Sequence, residues 1–165
     1  MYKSITLALG LLLATFGTAT AQRAFPLPEL VTVNHQAAPL ANYVGKGQPT
    51  IVAVWATWCQ PCHQELDHLK DYATQWEQEY GVQLLAVSVD KAYQMKKIMP
   101  LVKRKGWDYD ILVDTDGQLQ SRLGFRSIPQ MYILDGAGKI VQEFSGYRQG
   151  REKEVDAVVR RLAAK

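Results

Sequence analysis

Cys59 and Cys62 are the only cysteines in the chain, separated by Gln60-Pro61. A disulfide between them would close a tiny loop and constrain almost no chain, so it would add little stability. Such a pair is better explained by chemistry: thiol–disulfide exchange, metal binding or haem attachment. The apolar run Ile51-Val52-Ala53-Val54-Trp55-Ala56 leads straight into it, so Cys59 falls where a strand ends and a helix begins. Backbone N–H groups at a helix start favour negative charge and lower a thiol pKa, and the thiolate is the attacking species in exchange. Cys62 lies one turn further in and is expected to be more buried. The asymmetry gives Cys59 the role of nucleophile and Cys62 that of resolving thiol. Pro61 suits the first helical turn, where no hydrogen bond is lost.

The elements that must position this pair follow from periodicity. Leu30–Val33 and the Pro39-Leu40 region suggest a β-hairpin across Asn34-His35-Gln36. Thr50–Ala56 reads as a central strand buried on both faces. Gln60–Glu79 reads as a helix with Leu66, Leu69, Ala73 and Trp76 as its core stripe, ended by Gly81. A second apolar strand spans Val82–Val89. A helix is predicted over Tyr93–Lys105, kinked or split by Pro100. Asp110–Asp114 is extended, Gln118–Leu123 a short helix, Met131–Leu134 a strand. Asp135–Gly138 forms a hairpin turn into Lys139–Phe144. The last helix, Glu152–Ala164, turns Val155, Val158, Val159 and Leu162 inward. Strands alternating with helices predict a layered α/β fold.

Before this domain stands Lys3, an apolar run from Ile5 to Phe16 and the small-x-small triplet Ala19-Thr20-Ala21. That is the plan of a secretory signal peptide cleaved after Ala21. The run is too short for a membrane-spanning helix, which needs about 20 residues, so anchoring by an uncleaved N-terminus is the weaker reading. The expected organisation is a signal peptide at 1–21 and one domain at 22–165, exported to the periplasm. The formal net charge of +3 is too mild to indicate a nucleic-acid partner. Lys103-Arg104-Lys105 and Arg160-Arg161 read as solvated helix faces. An oxidising compartment favours disulfides between distant segments; here both thiols belong to one local motif.

Trp55-Ala56-Thr57-Trp58-Cys59-Gln60-Pro61-Cys62-His63-Gln64-Glu65-Leu66 resembles the active-site segment of the thioredoxin superfamily, and most of all the exported TlpA/ResA-like thiol–disulfide oxidoreductases. Gly124–Asp135, with Ile128-Pro129, is similar to the family's cis-proline segment, and Gly146 to the glycine after its last hairpin strand. The resemblance implies a three-layer fold with a central mixed sheet, helices on both faces and an N-terminal β-hairpin. It implies catalytic Cys59, Cys62 and Glu65, the last relaying a proton to Cys62 from the same helix face. Substrate would meet Trp58, Pro61, Ile128, Pro129 and Gly146, with Tyr147 as a further apolar neighbour and Pro129 in cis. No cofactor or metal is implied. The implied role is a monomeric reductant of disulfides in exported proteins, for example in cytochrome c maturation, recharged by a membrane thiol donor. A disulfide oxidase or isomerase of the same fold is the alternative. The chain departs from the family at Ala53, where many thioredoxins carry a buried Asp, and at Asp67, where a helix-kinking Pro is usual.

Other readings compete. Cys59–His63 satisfies the C-x-x-C-H haem-attachment signature, with His63 as proximal ligand and Met95, Met99 or Met131 as distal one. The surrounding strand–helix order opposes it. Zinc lacks a fourth ligand. A peroxidase would need an activating Thr and Arg, and Thr57 is not at the matching distance. A redox-inert scaffold has no reason to hold both cysteines. His35 and His68 read as surface groups without partners, His63 as a solvent-exposed helix residue whose charge could bias Cys59. Trp55 is expected in the core, and Trp58 is either a core lid or an apolar platform.

Overall fold

The computed structural model describes residues 22–164; the expected signal peptide lies outside them. The hairpin forms as read, from β1 (Glu29–Thr32) and β2 (Ala37–Pro39). The central strand β3 (Thr50–Trp55) is buried at every position. Alternation sends Ile51, Ala53 and Trp55 to one side of the sheet and Val52 and Val54 to the other. β4 (Gln83–Ser88) runs parallel to β3, and β5 (Asp110–Val113) parallel to β4. β6 (Gln130–Leu134) and β7 (Ile140–Ser145) complete the sheet as an antiparallel pair, with β6 antiparallel to β3. The strand order is β2-β1-β5-β4-β3-β6-β7.

Helices cover both faces. α1 (Gln60–Tyr80), α2 (Ile98–Lys105) and α4 (Arg151–Ala163) pack on the side of Ile51 and Trp55, and α3 (Gln118–Leu123) packs with Phe25, Leu40 and Val44 on the other. The α1 stripe is as expected: Leu66 and Leu69 are 1% exposed and Trp76 is fully buried. Truncating either leucine to alanine should cost about 2–5 kcal/mol. Trp76 Nε1 also donates to Asp156 Oδ1 at 2.9 Å, tying α1 to α4. Gly81 ends α1 in the left-handed conformation (φ 63°), its N–H donating to Glu77 O.

One local reading is refined. The helix expected over Tyr93–Lys105 is a 3₁₀ segment (Ala92–Lys97) followed by α2. Pro100 is the third residue of α2, in the turn whose N–H groups have no intrahelical partner, so it begins a helix rather than kinking one. At Asp67, α1 runs unbroken; the carboxylate accepts from Trp107 Nε1 at 2.9 Å and pairs with Lys105 Nζ at 2.6 Å. Asp67 therefore fastens the α2–β5 connection to α1.

Candidate active site

β3 delivers the chain to the site, and Asp90, just past the end of parallel β4, holds it there. Asp90 is fully buried and accepts from Thr57 N–H (2.8 Å), Thr57 Oγ1 (2.7 Å) and Ser88 Oγ (2.7 Å). The next residues turn into α1. Cys59 is the N-cap, with extended backbone (φ −96°, ψ 95°), and Cys62 N–H donates to Cys59 Sγ at 3.3 Å. That contact, at the positive end of a helix, favours charge on Cys59 sulfur in the reduced state. The two cysteines form a disulfide. Both cysteines are buried, Cys62 at 1% exposed and Cys59 at 5%, and of the two Cys59 lines the adjoining groove.

The Ile128–Pro129 peptide is cis. Three hydrogen bonds hold this loop: Gln130 Nε2 donates to Ser127 O (2.9 Å) within it and to Ser145 Oγ (2.8 Å) on β7, and Gly146 N–H donates to Pro129 O (2.9 Å). Gly146 has φ 69°, a conformation that a side chain strains. A groove of ≈ 770 Å³ opens beside the disulfide, with Trp58, Cys59, Gln60, Pro61, Ser127 and Ile128 among its walls. Of the expected substrate residues, Trp58, Pro61 and Ile128 line it. Pro129 is buried behind it, and Gly146 supports Pro129. Tyr147 lines no part of it: the ring stacks on His68 (5.9 Å between centroids), with Oη 3.2 Å from His68 Nδ1. His68 thus has a partner the sequence did not reveal. Trp58 is 61% exposed and is not a core lid.

Glu65 is 4% exposed and one helical turn beyond Cys62, on the same face. Burial pushes its carboxyl up to about 7, with Arg151 partly opposing. Such a group exchanges protons near neutrality. Arg151, at the start of α4, is itself buried; its guanidinium lies 4.6 Å over the Phe144 ring, and Nε and Nη1 have no acceptor.

His63 is not the exposed helix residue expected. It is 8% exposed, packed edge-on between Trp55 and Trp107, with Nε2 3.2 Å from Ala56 O. Burial lowers its pKa despite that hydrogen bond. Burial thus favours the neutral ring over a charge beside Cys59, and Nε2 is engaged with Ala56 O. The peroxidatic reading lacks its geometry, because the Thr57 hydroxyl donates to Asp90.

Sequence reasoning missed Asp90, Gln130 and Arg151. The available sign for Asp90 was an acid closing an apolar strand, which recurs at Asp114, whose carboxylate accepts from the N–H groups of Gln118, Leu119 and Gln120 at the start of α3. Nothing local marks Gln130 or Arg151, whose partners are brought by the hairpin and by α4 packing.

The chain aligns at 26% identity over 115 residues with the "Thiol-disulfide oxidoreductase ResA" of Bacillus thuringiensis subsp. konkukian, covering 70% of this chain and 64% of that protein. It is 30% identical over 102 residues to the "Thiol:disulfide interchange protein DsbE" of Haemophilus influenzae, covering 61% of this chain and 52% of that one. The chain therefore spans less than two thirds of these relatives. Among solved structures, a thioredoxin-like protein from Porphyromonas gingivalis superposes with a TM-score of 0.74 at 33% identity, over 87% of this chain and 94% of the other. The AhpC/TSA family profile matches residues 21–143. The family match spans most of the chain and the fold superposes on a thioredoxin-like protein, so the chain belongs to the AhpC/TSA family of thioredoxin-like proteins.

Proposed function

We propose that this protein is an exported thiol–disulfide oxidoreductase that reduces disulfides in other exported proteins, such as apocytochrome c before haem attachment. The observation that carries the reading is the Cys62 N–H on Cys59 Sγ at the N-terminus of α1, with Glu65 buried one turn beyond. In the forward reaction the Cys59 thiolate attacks a substrate sulfur; an S–S bond forms to Cys59 and the substrate's other sulfur leaves as thiolate and takes a proton. Glu65 accepts the proton of Cys62. The Cys62 thiolate then attacks Cys59 sulfur, and the second substrate sulfur leaves as thiolate and takes up the proton held by Glu65. The substrate gains two electrons and two protons, and Cys59–Cys62 becomes the disulfide. Trp58, Pro61 and the Ile128 backbone would receive the substrate as an extended strand, with Pro129 and Gly146 shaping that edge.

A buried carboxyl beside Cys62 opposes thiolate formation there. A reduced form without that stabilisation is a better electron donor, since the strongly oxidising members of this chemistry are those whose reduced form is stabilised. A membrane thiol donor would regenerate the dithiol. The relatives named ResA and DsbE support the exchange chemistry, and the Lys3–Ala21 pattern supports cleavage after Ala21 and a periplasmic site of action.

The test is reduction of insulin with dithiothreitol as donor, together with titration of the Cys pair against dithiothreitol. Activity lost in Cys59→Ser and a potential nearer about −270 than −120 mV support a reductant. Full activity in Cys59→Ser refutes the oxidoreductase reading, and a potential near the upper value refutes the direction.

A further inference from the structure

Charge is unevenly distributed around the disulfide. The groove beside Cys59 is also lined by Lys91 and Arg126, both exposed. Its one lining carboxylate, Asp114, is 2% exposed and caps α3. Across the 3₁₀ segment an adjoining cleft is lined by Thr57, Pro100 and Leu101 with Lys96, Lys97 and Arg104, all three cations exposed. Thr57 of that cleft binds Asp90, a fully buried carboxylate also occupied by Ser88. Among the described residues, none of these five cations has a carboxylate within 4 Å. A cluster of acids, Glu77, Asp108 and Asp110, lies at the opposite end of the sheet around the start of β4, while near the groove the exposed acid is Asp116, next to the Thr115 carbonyl that Lys91 Nζ contacts at 3.5 Å.

The same face is apolar. Of the three large hydrophobic side chains exposed among the described residues, Trp58 (61%) and Tyr93 (76%) both border the Cys59 groove. Two exposed aromatics set among cations without a carboxylate partner match a partner presenting acidic side chains around an apolar or aromatic residue.

We propose that this face selects, among exported disulfide-bearing polypeptides, those whose reactive cysteine is flanked by Asp or Glu. The proposal rests on the oxidoreductase reading and names its substrate class. Lys91 and Arg126 meet the acids nearest the attacked sulfur, Trp58 and Tyr93 take the apolar neighbour, and Lys96, Lys97 and Arg104 steer approach. Exposed charges act mainly on encounter, and their pull fades with salt. Selection should therefore appear as an association-rate difference that ionic strength erases.

The test measures second-order rates at which the reduced protein reduces three peptides with one shared intramolecular disulfide flanked by Glu, Gln or Lys. At low salt the Glu peptide should react about tenfold faster than the Lys peptide, and at about 1 M salt, where the screening length is about 3 Å, the ratio should approach one. Lys91→Glu with Arg126→Glu should collapse or invert that ratio. Lys46→Glu, in the exposed loop before β3 at the far end of the sheet, should preserve it. Equal low-salt rates for the Glu and Lys peptides would overturn the proposal. If equal rates accompanied binding to phosphatidylglycerol vesicles that the double variant loses, the patch would be a membrane-docking surface instead. Failure of all three peptides to react would overturn the oxidoreductase reading, and the substrate class with it.

Discussion

Nε2 of His63 lies 3.2 Å from the carbonyl oxygen of Ala56, reaching back over the loop that carries Cys59. The ring is held by Trp55 and Trp107, so the residue after the second cysteine is part of the core under the loop. Burial, with Lys105 and Arg104 acting in the same sense, lowers its pKa below 6.5 against the Ala56 hydrogen bond and Asp67. The native state thus holds this proton less tightly than the unfolded chain, and stability falls as pH drops through the ordinary histidine range. NMR titration of the ring should give a midpoint below 6.5. A midpoint at or above that value would restore a charged His63 beside Cys59.

Glu65 has the opposite dependence. Its pKa rises on folding from 4.5 to about 7, so between those values the native state binds more protons. Stability contributed by the neutral carboxyl is complete below about pH 4.5 and lost as pH rises through about 7, in total about 3 kcal/mol. Glu65→Gln should flatten this part of the stability–pH curve and make the protein more stable than wild type at pH 8. It should also slow resolution of the mixed disulfide and shift the Cys62 titration. An unchanged stability profile and unchanged thiol titrations would reduce Glu65 to a packing residue.

Asp90 anchors the approach to Cys59 through three donors. Asp90→Ala leaves the Thr57 N–H and the Thr57 and Ser88 hydroxyls without their acceptor, and should cost about 3 kcal/mol in urea unfolding. Thr57→Val should cost less, because the backbone N–H bond survives. Equal losses in the two variants would mean that the hydroxyl contact, rather than the whole anchor, carries the effect.

Much of this architecture was legible because its causes are local. The strand Thr50–Ala56, the α1 stripe of Leu66, Leu69 and Trp76, and the stop at Gly81 follow from periodicity and backbone freedom, and the structure reproduces them within a residue or two. Cys59 and Cys62 were readable because their spacing and position define their chemistry. The failures share a cause in distance along the chain. His63 looks polar and exposed until Trp107, brought by the α2–β5 connection, closes over it. Tyr147 looks available for substrate until α1 presents His68. The break near Pro100 was legible, but its place was not: two short helical pieces share a continuous pattern, and only the true start of α2 at Ile98 shows that proline belongs in its first turn.

Gln130 bridges Ser127 O and Ser145 Oγ and fixes the loop bearing Pro129. Gln130→Ala should slow reduction of polypeptide disulfides while leaving the redox potential of the Cys pair unchanged, since the bridge shapes the substrate edge and not the sulfurs. A shifted potential would contradict this separation of roles.

The division of labour between the two cysteines is the centre of the account, and covalent trapping tests it most directly. In Cys62→Ser the resolving attack is removed, because a hydroxyl is a far weaker nucleophile than a thiolate. Expressed with its N-terminal segment, this variant should accumulate adducts with exported, cysteine-containing partners that dithiothreitol releases on gels. Cys59→Ser should trap far fewer, because Cys62 is 1% exposed in the native fold. Equal trapping by the two variants would contradict the assignment of Cys59 as the attacking thiol.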